Sequence, residues 1–74
     1  MRIISQDGLV DCLYDSLILR IEDTAIVTNA GGQYMVYMAL YSTPVKARAA
    51  MKRLHDSYQR MDVSVFQFPQ DDEI

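Results

Sequence analysis

The sequence predicts an α+β fold: an antiparallel β-meander of about 5–6 strands, one amphipathic helix over residues 43–59 packed on it, and a short C-terminal strand. Three observations carry that expectation. Short apolar runs broken by turn signals fill the first 41 positions. Residues 43–59 then place apolar side chains on a 3.6-residue repeat. A last strand-like run, residues 63–68, stops at Pro69. With 74 residues, the chain has room for one domain, residues 1–74.

The elements follow in order. Residues 2–5 form a first strand, Gln6-Asp7-Gly8 a turn, and residues 9–14 a second strand. Asp15-Ser16 separates that run from residues 17–22, where Leu17, Leu19 and Ile21 share one face and Ile18, Arg20 and Glu22 the other. Asp23-Thr24 suits a two-residue hairpin into residues 25–28. Asn29-Ala30-Gly31-Gly32 is the strongest turn signal, because glycine accepts the positive φ a reversal needs. Residues 33–41 make a long strand that feeds the helix directly.

That strand is apolar on both sides. Met35, Tyr37, Ala39 and Tyr41 line one face; Tyr34, Val36, Met38 and Leu40 line the other. A half-exposed antiparallel strand should alternate apolar with polar, so both faces want cover. The helix can cover one. The other needs a strongly curled sheet or a second copy of the chain, which makes Tyr34, Val36, Met38 and Leu40 the expected interface of a homo-oligomer. Oligomerisation is also the extra source of buried area open to so small a chain, since the single cysteine, Cys12, cannot pair within it.

The helix has a defined start and face. Thr43 caps it, and Pro44 occupies the first turn, where its missing N–H costs nothing. Ala47, Ala50, Met51, Leu54 and Tyr58 form the inward stripe; Lys46, Arg48, Lys52, Arg53 and Arg60 fall outside it. The net charge of −3 therefore hides a segregation: residues 44–60 hold five of the seven basic groups and one acid, Asp56. This is either a solvated helix face or a surface for an acidic loop of another subunit or an anionic ligand.

Catalytic and metal chemistry finds little support. Cys12 and His55 are the residues suited to nucleophile and base, but no third residue or oxyanion loop accompanies them. Most strand cysteines are inert small hydrophobes. One histidine and one cysteine give no ligand-spaced pair, so no metal or cofactor is expected. Gly31-Gly32 precedes neither a lysine nor a helix start, and so is no phosphate loop. The seven Tyr and Phe residues serve packing, or else stack on a nucleotide-like ligand. In the second case Arg48 and Lys52, four apart on one helix face, would bind its anionic groups, with Tyr37 or Tyr41 as the stacking ring. Extended nucleic acid is disfavoured by the acidic balance. The N-terminus has no apolar run of about 7 to 15 residues, and no stretch of about 18 could cross a membrane. A cytoplasmic protein is expected.

Three blocks have a recognisable wording: MRIISQDG at residues 1–8, YSTxxKAxxAMxxLHxxY at 41–58, and FQFPQDDE at 66–73. They resemble a group of short uncharacterised proteins of phages, prophages and other mobile elements of Gram-positive bacteria. The likeness covers both ends and the helix, while residues 12–40 vary within the group. It implies a phage or mobile-element origin and carries over no catalytic or binding residue. The expected function is non-catalytic: stoichiometric binding in the host cytosol, as a counter-defence protein that blocks a host immune protein or sequesters an immune signal nucleotide. The alternative is a regulatory or house-keeping module of the mobile element. Light scattering on the purified chain at micromolar concentration should give a mass above that of one copy; a clean single-chain mass would refute self-association.

Overall fold

A computed structural model describes residues 1–14, 18–30, 34–60 and 63–74, with only the backbone of Ala30 and Tyr34. The α+β class holds. Among the described residues, six strands, β1 (Arg2–Ile4), β2 (Asp11–Leu13), β3 (Leu19–Glu22), β4 (Ala25–Ala30), β5 (Tyr34–Leu40) and β6 (Val65–Gln67), accompany one α-helix, α1 (Pro44–Gln59). The strands divide into two three-stranded sheets, ordered β2-β1-β6 and β3-β4-β5. The second sheet is a plain meander. In the first, the closing strand β6 lies parallel to β1, since the chain crosses the molecule through α1 before returning.

Local sequence explains the joints. Gly8 sits at φ 78°, where a Cβ would be strained, and closes the turn between β1 and β2. Asp23 takes φ 57° in the two-residue β3–β4 hairpin, where Glu22 pairs with Ala25. The expected separators Asp15-Ser16 and Gly31-Gly32 lie outside the described residues, and β4 continues through Asn29 and Ala30. Thr43 caps α1 as expected: its Oγ1 accepts the Lys46 N–H at 3.2 Å, with Pro44 in the first turn.

The core forms where α1 meets the inner faces of both sheets. Ala47, Ala50 and Leu54 pack with Ile3 of β1, with Ile26, Met38 and Ala39 of the second sheet, and with Tyr41 and Phe68. Two alanines on the helix let it approach the strands closely. Met51 is half-buried beside this cluster, and Tyr58 sets its ring against Tyr14 with centroids 4.6 Å apart.

The long strand resolves its two-sided pattern with a β-bulge. Ile26 pairs with Ala39 and Val27 with Tyr37, so Met38 is an extra residue without a partner on β4. One inserted residue reverses the alternation beyond it. Val36 and Met38 face inward before the bulge, and Ala39 and Tyr41 face inward after it. The expected single face of Tyr34, Val36, Met38 and Leu40 is therefore not formed. Met38 is buried, Val36 half-buried, and Leu40 is turned out to solvent; nothing is described of the Tyr34 side chain.

Gln6 ties the two sheets together at this bulge. Its N–H donates to the Met38 carbonyl at 2.7 Å, and its Oε1 accepts the Leu40 N–H at 3.0 Å. Its Nε2 donates to the Pro69 carbonyl at 3.1 Å, and its own carbonyl accepts from Gln70 Nε2 at 2.6 Å. A side-chain amide thus stands in for a strand at the edge of β5. Gln6→Ala should lower unfolding free energy in urea by about 1–3 kcal/mol, the range for lost, partly buried hydrogen bonds, and should speed exchange of the Leu40 amide.

Candidate interaction surface

The solvent side of β3-β4-β5 is built by register. Cross-strand rows place Arg20, Val27 and Tyr37 together, then Glu22, Ala25 and Leu40, on the face opposite Ile21, Ile26 and Ala39. Asn29 and Met35 continue the outer face, with Ile18 just ahead of β3 on the same side. The centre is closed, since Val27 is 0% and Ala25 5% exposed. Arg20 helps to close it: its guanidinium crosses β4 to donate to Met35 Sδ at 3.6 Å and pairs with Glu22 at 2.9 Å. What stays open is the border: Ile18, 73% exposed, on the β3 side, and Met35 43%, Tyr37 61% and Leu40 62% exposed along β5.

Beside that stripe lies a small recess of about 110 Å³, lined by Gln6, Asp7, Tyr37, Met38, Ala39 and Leu40. The Asp7 carboxylate is oriented at its rim. Oδ1 accepts the Ser5 hydroxyl at 2.5 Å and the Leu9 N–H at 3.0 Å. These two bonds, the hydroxyl first, hold its pKa below the ordinary carboxylate value.

The residues expected to bind an anion are not gathered into one site. Arg48 is exposed on α1, and Lys52, also exposed, pairs with Asp56 at 3.1 Å. Tyr37 faces the opposite side of the sheet from the helix. Tyr41 is buried, and its hydroxyl donates to the Pro69 carbonyl at 2.8 Å, so its ring offers no open face. Burial raises its phenol to a pKa of about 12.

The basic helix face instead meets the chain's own acidic tail. Lys46 Nζ donates to the Asp71 carbonyl at 3.0 Å and to Asp71 Oδ2 at 3.2 Å, and Arg53 donates to the Glu73 carbonyl at 3.0 Å. The tail forms one 3₁₀ turn, Asp71–Glu73, closed by mutual bonds between Gln70 and Glu73. The sequence showed the two opposite charges, read either as a solvated helix face or as a surface for another molecule, and not as partners within one chain. The spacing gave no sign that Pro69 would turn the tail back along α1.

Cys12 and His55 are likewise apart in environment. Cys12 packs half-buried against the core side of β2, its thiol donating weakly to the Ile3 carbonyl at 3.8 Å. Burial, then the nearby Asp11 charge, pushes its pKa up, opposite to what a thiolate nucleophile needs. His55 is exposed on α1. Among the described residues no three His, Cys, Asp or Glu side chains gather as metal ligands. Nor is any described helix long and apolar enough to cross a membrane.

Set against profiles of known families, curated proteins and solved structures, the chain has no match.

Asp71 makes the tail contact sensitive to acid. The Ser42 N–H, bonded at 2.8 Å, is the main cause holding its pKa below 3.8, and Lys46 adds to it. A depressed folded pKa means the contribution is present above 3.8 and disappears as pH falls through the lower folded value. On acidification through that range, NMR should show the Ser42 amide losing its carboxylate hydrogen bond and the tail leaving α1. An Asp71→Asn variant should lack this transition.

Proposed function

We propose that this chain is a non-catalytic binding protein that acts stoichiometrically, covering a site on a protein partner with the open side of β5. The observation that carries this reading is the trio Met35, Tyr37 and Leu40, exposed together beside the Arg20–Glu22 pair. Apolar side chains rimmed by charge are the composition of a contact surface, and an aromatic at its middle is the usual energetic anchor. The trio offers on the order of a few hundred Å², less than the roughly 800 Å² per partner of a stable interface. A partner would therefore also cover Arg20, Glu22 and the Asp7 turn.

The mobile-element resemblance supplies the setting. A small phage-borne binding protein in the host cytosol is best used against a host immune protein, so counter-defence by direct blocking is our preferred role. Sequestration of a signal nucleotide is less favoured. The recess of about 110 Å³ is well short of the roughly 300–1,000 Å³ of ligand pockets, and the basic and aromatic candidates do not converge. A second copy of the chain is the other partner this face would suit, because Leu40 and Tyr37 need cover from whatever source. A regulatory or house-keeping role in the mobile element is the alternative.

Expression in hosts that each carry one defence system tests the role. The protein should restore phage plaquing in at least one of them; no protection in any would favour the regulatory module. Where protection occurs, Tyr37→Ala or Leu40→Asp should weaken binding to the target by about 2 kcal/mol or more, with the melting temperature kept. Arg48→Ala combined with Lys52→Ala should change neither protection nor affinity.

A further inference from the structure

The recess at the joint between the sheets has a composition of its own. It is lined by Gln6 and Asp7 from the first sheet's turn and by Tyr37, Met38, Ala39 and Leu40 at the bulge of β5. The Gln6 side chain is held in place, its oxygen and nitrogen each making one bond, to Leu40 and to Pro69. Asp7 is different. Its Oδ1 is taken by Ser5 and Leu9, while among the described residues its Oδ2 receives no hydrogen bond. Four other acids, Asp11, Glu22, Asp56 and Asp71, each have a basic partner within the chain, while Asp23, Asp72 and Glu73 form no ion pair among the described residues but do not line the recess. Asp7 has none among the described residues, and no basic side chain lines the recess.

We propose that this recess receives the cationic end of an arginine or lysine side chain from a protein partner. An oriented carboxylate beside an exposed tyrosine ring is the pairing that such a cation recognises, by a charge-assisted hydrogen bond and by the ring's negative face. The volume of about 110 Å³ accommodates a guanidinium or ammonium group with its last methylenes. The hydrogen bonds from Ser5 and Leu9 keep the Asp7 carboxyl charged and fixed before the cation arrives. The inference deepens the reading of β5 as a contact surface, since it names what the partner must present beside its apolar residues.

The probe is argininamide, titrated into the isotopically labelled full chain at low salt and neutral pH. Amide shifts should concentrate on Gln6, Asp7 and residues 37–40, with saturation in the millimolar range. Asp7→Asn keeps the Oδ1 acceptor that holds the turn and removes the charge; it should weaken binding at least fivefold. Tyr37→Leu keeps an apolar side chain and removes the ring; it should weaken binding at least threefold, and it decides the matter if Asp7→Asn fails to fold. Shifts spread evenly over Asp11, Asp72 and Glu73, no saturation, or an affinity unchanged in the folded variants would overturn the proposal. A negative result here would leave the contact role of β5 standing, because that role is measured by Leu40→Asp against the intact target.

Discussion

The hydrogen bonds between Gln6 and the bulged edge of β5 are the constraint on which the remaining structure depends. A strand with apolar residues at every position cannot satisfy both faces within 74 residues. Inserting Met38 as an unpaired residue lets the strand turn Val36 and Met38 inward up to the insertion and Ala39 and Tyr41 inward after it. The same insertion turns the Met38 carbonyl and Leu40 N–H toward Gln6, which binds both. Curvature, closure of the sheet edge and attachment of the two sheets thus come from one local irregularity.

A second constraint is electrostatic. The C-terminal tail ties itself to the helix and to the joint of the sheets. Pro69 accepts from both Tyr41 and Gln6, Asp71 bridges Ser42 and Lys46, and Arg53 holds the Glu73 carbonyl. Individually these partly exposed contacts are weak. They matter together because they fix the segment carrying Phe68, which is 1% exposed and belongs to the core. The tail therefore completes the hydrophobic cluster and neutralises part of the helix charge in the same step.

Much of the fold was legible because local signals and tertiary needs agree. Thr43 and Pro44 start the helix where they should, Asp23-Thr24 closes its hairpin, and Leu19 and Ile21 face inward against Arg20 and Glu22. Three things were not legible. Pattern reading assumes strict alternation, so it could not place a bulge at Met38 among residues that are all apolar. The parallel pairing of Ile3 with Phe66 spans most of the chain and leaves no local trace. The ion pair from Lys46 to Asp71 joins residues 25 apart, a separation at which charge patterning specifies no partner. The candidate site residues Arg48, Lys52, Tyr37 and Tyr41 were chosen by type and spacing, and the structure does not bring them together: Tyr37 lies across the sheet from the helix, and Tyr41 is buried with its hydroxyl bonded to Pro69.

The open stripe of β5 and the recess beside it bear on the proposed mechanism. Catalysis needs reacting groups converged in a water-excluding cleft, with a nucleophile or base whose pKa suits the task. Here the thiol is pushed up by burial, the imidazole is exposed on α1, and the recess at the joint has a volume of about 110 Å³ with Asp7 in its lining. The contact role proposed for β5 has other requirements: a rigid support, a few anchors, and charges placed at the rim. β5 meets the first through the Gln6 bonds beneath Leu40 and the second through Tyr37 and Met35. Arg20, Glu22 and Asp7 meet the third. The irregularity that lets so short a chain close its core is thus also what leaves Leu40 and Tyr37 on its surface.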